Sequence, residues 1–290
     1  MIKIKNLTKK FGKTPVLDNI SLTIKKRDRI ALIGPNGAGK TTLIRIILGQ
    51  YLFNGELTVF DKSPRRHRVE ILDRIGYVPQ LPPPIQMNVG ELVKFSASIS
   101  RKSGIDTIYQ KASELGLDIG KNVTKPFQKL SGGMKQKLLI ALALARQPDI
   151  LIMDEPAANL DPQGRQAFFL QLIRSMEKTT MLLSSHRVDE IINLINRIVE
   201  IDYGRVVQDE QIDQSAFADK MLDCQITLTK NHEAAIRMLN DWNFKNKNGG
   251  REFEGRFIGA ERLRFLTSIS HFANHIQKLN IGQEIFIKAE

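Results

Sequence analysis

One cysteine in 290 residues, Cys224, rules out an internal disulfide and any cysteine-built metal centre. It suits a reducing compartment, and its place in the apolar stretch 222–228 marks it as a small buried residue. Long apolar runs are missing as well. The longest uncharged one, residues 138–145, is far shorter than the roughly 20 residues that cross a bilayer. The charged start Met1-Ile2-Lys3-Ile4-Lys5 lacks a signal-peptide core, so we expect no targeting or anchoring by this chain alone. No internal repeat is present, which excludes solenoids and propellers. What remains is an ordinary globular composition, 42% hydrophobic, with room for a full core and a second small domain.

Positive charge is in excess, and unevenly so. Residues 1–211 hold 32 Lys and Arg against 21 Asp and Glu, whereas residues 212–290 hold 11 against 10. The runs Lys25-Lys26-Arg27 and Arg65-Arg66-His67-Arg68 are short and carry no interleaved aromatics, so they read as solvated faces and no nucleic-acid partner is expected.

The most specific stretch is Gly34-Pro35-Asn36-Gly37-Ala38-Gly39-Lys40-Thr41, followed by Thr42 and preceded by the apolar run Ile30-Ala31-Leu32-Ile33. This is G-x-x-x-x-G-K-[ST] between a strand and a helix. Its glycines let backbone N–H groups converge on one anion, Lys40 can reach the β- and γ-phosphates of a nucleotide, and the Thr41 hydroxyl can ligate Mg²⁺. The helix that begins near Lys40 turns its positive end to the same place.

Around this loop the patterning is mixed. Ile2-Lys3-Ile4 and Leu22-Thr23-Ile24 alternate as antiparallel strands do, with turn residues between them, and residues 55–59 and 74–78 read as further strands. Pro82-Pro83-Pro84 cannot enter regular structure and leaves Gln80 at the head of an exposed segment. Helical spacing runs over 88–117, with Asn88 and Glu91 placed as a capping box. After the interruption at Gly132-Gly133 it resumes over 134–146. Short apolar strands at 150–153, 181–184 and 198–201, separated by helices over 164–176 and 188–195, suit a parallel sheet covered on both faces. Residues 222–290 read strand 222–228, helix 232–242, a hairpin at Asn248-Gly249-Gly250, helix 260–279 and strand 283–287. That β-α-β-β-α-β order suggests a ferredoxin-like unit.

A second acidic site follows the strand 150–153. Asp154, at the mouth of the sheet, can hold Mg²⁺ directly or through water, and Glu155 is placed to polarise a water that attacks the γ-phosphate.

Leu130-Ser131-Gly132-Gly133-Met134 resembles the signature of the ABC-transporter ATPases, with Met134 where glutamine is commonest. The resemblance covers nearly all of residues 1–211 in order and spacing. It implies an α/β fold: a P-loop NTPase core with an antiparallel β subdomain and a helical subdomain at about 88–145. A linker at 212–221 and the C-terminal α+β unit 222–290 complete the chain.

The resemblance also assigns residues. Ser131, Gly132 and Gly133 bind the γ-phosphate held by a different subunit, Phe11 stacks on adenine, and Gln80 touches Mg²⁺ and the attacking water. Asp161, in Asn159-Leu160-Asp161, belongs to the loop that crosses between subunits, and His186 contacts the γ-phosphate. The bland alternatives at the last four are a core phenylalanine, an ordinary loop glutamine, a helix cap before Pro162 and a structural histidine. Ala157-Ala158 departs from the frequent Thr-Ser, and Phe11 lacks the hydroxyl of the more usual tyrosine.

The expected protein is therefore an ATP-binding, ATP-hydrolysing subunit of an ABC transporter, with ATP and Mg²⁺ as ligands. It would pair head to tail with a second copy and serve separate membrane permease subunits from the cytoplasmic face of the membrane. Met134, the stretch 159–165 and the C-terminal extension look more like export-type or membrane-biogenesis systems, and one narrower resemblance is to the ATPase of the transporter that matures the copper enzyme nitrous-oxide reductase. The alternative is a soluble ABC ATPase that remodels nucleic acid or the ribosome. Such proteins usually have two cassettes, long coiled coils or zinc-binding cysteines, none of which is present here.

Overall fold

Burial alternates with period two over residues 2–4 and 20–24 of the computed structural model. That structure describes residues 1–212 and 221–287, apart from 101, 176–177, 186–190, 192–193, 248–249, 259–260, 271, 273–274 and 282–283. In strands β1 (Ile2–Phe11) and β2 (Thr14–Ile24), Ile2 pairs with Ile24 and Ile4 with Leu22, so four buried side chains share one face. Strand β4 (Asn54–Val59) pairs along the other edge of β1 and completes an antiparallel sheet of order β2-β1-β4.

A second sheet carries the site. It comprises β3 (Arg29–Ile33), β5 (Ile75–Val78), β6 (Ile150–Asp154), β7 (Thr180–Ser184), β8 (Arg197–Asp202) and β9 (Arg205–Gln211) in the order β5-β6-β7-β3-β8-β9. The first five are parallel and β9 returns antiparallel on β8. Both faces are covered, as the apolar runs require. Ile150 and Ile152 join the core shared with β1, β2 and helix α1 (Lys40–Ile47), while Leu151 and Met153 join the core shared with helix α5 (Gly132–Ala145). Each such core leucine or isoleucine is a position where truncation to alanine costs about 2–5 kcal/mol.

Within residues 1–146, the helices depart from the sequence reading in three places. A short helix α2 (Arg68–Asp73) follows the exposed basic run. The helical stretch 88–117 is two helices, α3 (Val89–Ile99) and α4 (Ile105–Glu114). The break has a local cause: the Ser100 hydroxyl accepts from the N–H groups of Lys102 (3.4 Å) and Ser103 (3.1 Å), diverting them from helical partners. The capping box at the start of α3 is formed, with Glu91 N–H donating to Asn88 Oδ1 (2.8 Å) and Asn88 N–H to Glu91 Oε2 (2.9 Å). Gly132 and Gly133 form the first turn of α5 rather than interrupting it, because Ser131 caps the helix by accepting from Met134 N–H at 3.2 Å. Helix α6 spans Pro162–Ser175, and most of the helix expected over 188–195 lies outside the described residues.

Two compact units divide the chain, Met1–Ile212 and Asp213–Glu290. Residues 213–220 of the expected linker lie outside the described residues. The second unit contains β10 (Met221–Leu228), α7 (Glu233–Asp241), β11 (Lys245–Lys247), β12 (Glu252–Ile258), α8 (Arg262–Ser270), β13 (Ile276–Ile281) and β14 (Glu284–Ile287). Its sheet is antiparallel throughout, in the order β11-β12-β10-β13-β14. The helix expected over 260–279 ends at Ser270, and 276–281 is a strand. Phe265, Ile269, Phe272 and Ile276 keep a helical spacing past that end, but residues 276–281 pair with β10, and the ladder wins over the spacing. Phe244 and Phe257 stack on Phe265 at 5.1 and 4.6 Å. Cys224 is buried beside them in this core, and burial pushes its thiol up to about 12.

Candidate active site

The loop after β3 is shaped by glycines that no other residue could replace. Gly34 has φ 138°, and a Cβ there would lie 2.0 Å from the Ile201 carbonyl oxygen. Gly39 has φ 109°, and its Cβ would meet Leu17 Cδ2 at 2.5 Å. Between them Pro35, Asn36 and Gly37 are exposed, while Ala38, Gly39 and Lys40 are buried against the β2 side of the core. Thr41 and Thr42 follow, half-buried, in the first turn of α1.

Lys40 curls back over its own loop. Its ammonium donates to the carbonyls of Gly34 (2.6 Å) and Pro35 (3.0 Å). Burial lowers its pKa, and the carboxylates of Glu155 and Asp154 oppose that shift. The ammonium is thus a partly desolvated cation held by neutral acceptors, next to an anion cradle.

Parallel pairing delivers the acids. Asp154 ends β6 in register with Ser184 at the end of β7. The Asp154 carboxylate is buried and accepts twice: Thr41 Oγ1 donates to Oδ2 (2.7 Å) and Ser184 Oγ to Oδ1 (2.5 Å). Glu155 then turns off the strand with φ 47°, its N–H donating to Ser184 Oγ (3.0 Å) and to the Ser184 carbonyl (3.3 Å). Gln80 lies exposed just past β5, the strand paired with β6, so it shares the sheet end with both acids. The Thr41 hydroxyl and the Asp154 carboxylate, joined at one point, are the hard oxygen donors that suit Mg²⁺. Ser184 had no role in the sequence reading. Its signal there was only its place at the end of an apolar strand, and the pairing with Asp154 is a register the sequence does not display.

The remaining positions fall around this centre. Phe11 ends β1 and is 46% exposed, which disposes of the core alternative. Tyr51 meets its ring edge-on at 5.4 Å and 85°, and Lys9 Nζ stands 4.6 Å over it. Arg45, on α1, donates to the Tyr51 hydroxyl at 2.7 Å. The half-buried Tyr77 phenol is pushed up to about 12, by burial first and by the Asp154 charge second. Ser131 and Gly132 are exposed at the start of α5, with Gly133 half-buried behind them. Asp161 is exposed before α6. Lys137 donates to its carboxylate at 2.9 Å, which with the Gly164 N–H holds that acid below the usual carboxylate range. His186 lies outside the described residues.

The ABC transporter family profile matches residues 17–158. The chain is 33% identical over 234 residues to the lantibiotic transport ATP-binding protein SrtF of Streptococcus pyogenes, covering 79% of this chain and 99% of that one. It is 34% identical over 221 residues to the arginine transport ATP-binding protein ArtM of Bacillus subtilis, covering 72% and 90%. Among solved structures, a dimeric bacterial ABC transporter cassette superposes with TM-score 0.64 at 26% identity, over 73% of this chain and 99% of that chain.

Proposed function

The chain belongs to the ABC transporter ATP-binding family and is an ATP-binding, ATP-hydrolysing subunit of such a transporter, and from that premise we propose how its residues divide the work. The observation that carries the proposal is the join of Thr41, Asp154 and Ser184 at the strand ends, with Lys40 on one side and Glu155 on the other.

Residues 34–42 take the phosphates of ATP. Lys40 exchanges its carbonyl partners on Gly34 and Pro35 for β- and γ-phosphate oxygens, a stronger bond for a cation already half out of water. Phe11 stacks on adenine. Thr41, Asp154 and Gln80 would hold Mg²⁺, which supplies charge neutralisation on the phosphates. The Glu155 carboxylate accepts a proton from the water whose oxygen bonds to the γ-phosphorus as the bond to the ADP oxygen breaks. His186 and Lys40 steady the developing charge on the transferred group.

The second half of the site comes from another copy. Ser131, with the N–H groups of Gly132 and Gly133 at the exposed start of α5, suits an anion. We place it on the γ-phosphate held by a second copy, with Asp161 in the loop between the two. ATP is then part of the interface, and its hydrolysis loosens the pair. The exposed apolar side chains Leu81, Met87, Phe95 and Ile99 after Gln80 and on α3 suit the cytoplasmic helices of a separate permease. No described helix is long and apolar enough to cross a membrane. We place the subunit at the cytoplasmic face of the membrane, held there by that partner.

Two variants test the division of roles. Glu155→Gln keeps ATP binding, loses turnover about 100-fold or more and accumulates as a nucleotide-bound dimer by size-exclusion chromatography; a normal rate removes Glu155 as base. Lys40→Ala weakens ATP binding in a fluorescent-nucleotide titration, and unchanged affinity counts against the cradle.

A further inference from the structure

The turn that carries Glu155 is held from α5 as well as from β7. At φ 47° Glu155 occupies the left-handed region, which side chains with a Cβ disfavour and which persists where neighbours impose it. Ser184 binds its N–H from one side. One residue on, the Pro156 carbonyl accepts from Gln136 Nε2 at 3.1 Å. Gln136 is fully buried, at 0% exposure, five positions after Ser131.

Gly133, Gln136 and Lys137, at i, i+3 and i+4, share one face of α5, and all three address the loop after Glu155. A Cβ on Gly133 would come within 3.0 Å of the Asn159 carbonyl, Gln136 holds Pro156, and Lys137 holds Asp161 at 2.9 Å. A cavity of 270 Å³, lined by Glu155, Ala157, Phe168, Phe169, Leu183 and Ser184 among others, opens on one side of the same turn. Directed bonds therefore carry more of the burden of placing it. Gln136 Oε1 accepts no hydrogen bond among the described residues although it is wholly buried. A side chain present for packing alone would carry no such unpaired oxygen, whereas one present for its N–H donor must bring the oxygen with it.

We propose that Gln136 is a positioning residue for Glu155, its amide N–H fixing the Pro156 carbonyl and so the left-handed turn from which the carboxylate reaches the attacking water. This rests on the reading of Glu155 as the base. It also makes α5 a lever, because the helix whose first turn takes the other copy's phosphate grips, one turn later, the turn of this chain's own base.

The test uses Gln136→Met in the full chain, which keeps length and shape and removes the donor. The urea midpoint changes little, since the orphaned oxygen leaves with the amide while the Pro156 carbonyl loses its donor. KM for ATP stays within about two-fold, and kcat falls about 10- to 100-fold, the scale of a misplaced reacting group. Added to Glu155→Gln, Gln136→Met causes no further loss of the residual rate, because the group it positions is already gone. The proposal is overturned if kcat is unchanged while Glu155→Gln abolishes turnover, if the loss tracks a drop in stability, or if the two losses multiply. A Glu155→Gln chain with normal turnover overturns it at a different point, by removing the base that Gln136 would position.

Discussion

Asp154 gives each of its oxygens to a different hydroxyl, and those hydroxyls come from the phosphate helix and from the neighbouring strand. A buried carboxylate tolerates that position only with such donors or a cation, so the side chain is committed to the sheet end before any nucleotide arrives. Phe11 is the opposite case, a large apolar ring left 46% exposed and steadied from its edge by Tyr51. Edge-on aromatic pairs contribute about 0.5–1.5 kcal/mol beyond buried area. Tyr51→Ala should therefore raise KM for ATP about 2- to 10-fold and leave kcat within two-fold, whereas Tyr51→Phe, which keeps the ring and loses only the Arg45 bond, should stay near the parent in the same steady-state assay. An unchanged KM in both would remove Tyr51 from the base platform.

At the level of elements, one buried arginine binds three strands and a turn. Arg197, on β8, donates to Asp28 (2.8 Å) before β3, to both oxygens of Asp209 on β9 (2.6 Å each) and to the Thr23 carbonyl on β2 (2.8 Å). With the Arg197 and Asp28 side chains 9% and 10% exposed, removing one partner leaves buried charge unmatched. Asp28→Ala should cost about 3 kcal/mol, at the lower end of such losses because Asp209 remains, and the shift in urea midpoint measures it. A change below about 0.5 kcal/mol, the range of ordinary surface substitutions, would show that Asp209 alone satisfies the guanidinium. The elements themselves were legible where one pattern dominated, alternation in β1 and β2 and a continuous apolar run in β6. They were misread where a serine hydroxyl competes with the helix at Ser100, or where pairing with a distant strand overrides helical spacing at Ile276.

At the scale of the molecule, each of the two units has its own core among the described residues. No described residue of the aromatic cluster around Phe265 belongs to either core of the first unit, and Ile212 still packs against the α5 core at the boundary. A chain ending at Ile212 should therefore unfold cooperatively and bind ATP as the full chain does, measured by circular dichroism melting and nucleotide titration. Loss of cooperative unfolding would mean that the first unit depends on the second. The same truncation tests whether residues 222–290 support pairing of two copies: a lower dimer fraction in the ATP-bound Glu155→Gln background is the expected result, and an unchanged fraction assigns them another role.

The sequence by itself determined the phosphate loop, the signature, the acidic strand end and the alternating strands, because each depends on neighbours in the chain: a glycine where φ must be positive, a helix following a strand, apolar residues at a fixed period. Only the tertiary structure decided that Ser184 binds Asp154 from 30 positions away, that Tyr51 meets Phe11, and that Gln136 grips the turn of Glu155. Those contacts cross between strands and helices whose order in the sheet, β5-β6-β7-β3-β8-β9, is not their order in the chain. Their partners are set by packing and register, which a local pattern does not encode.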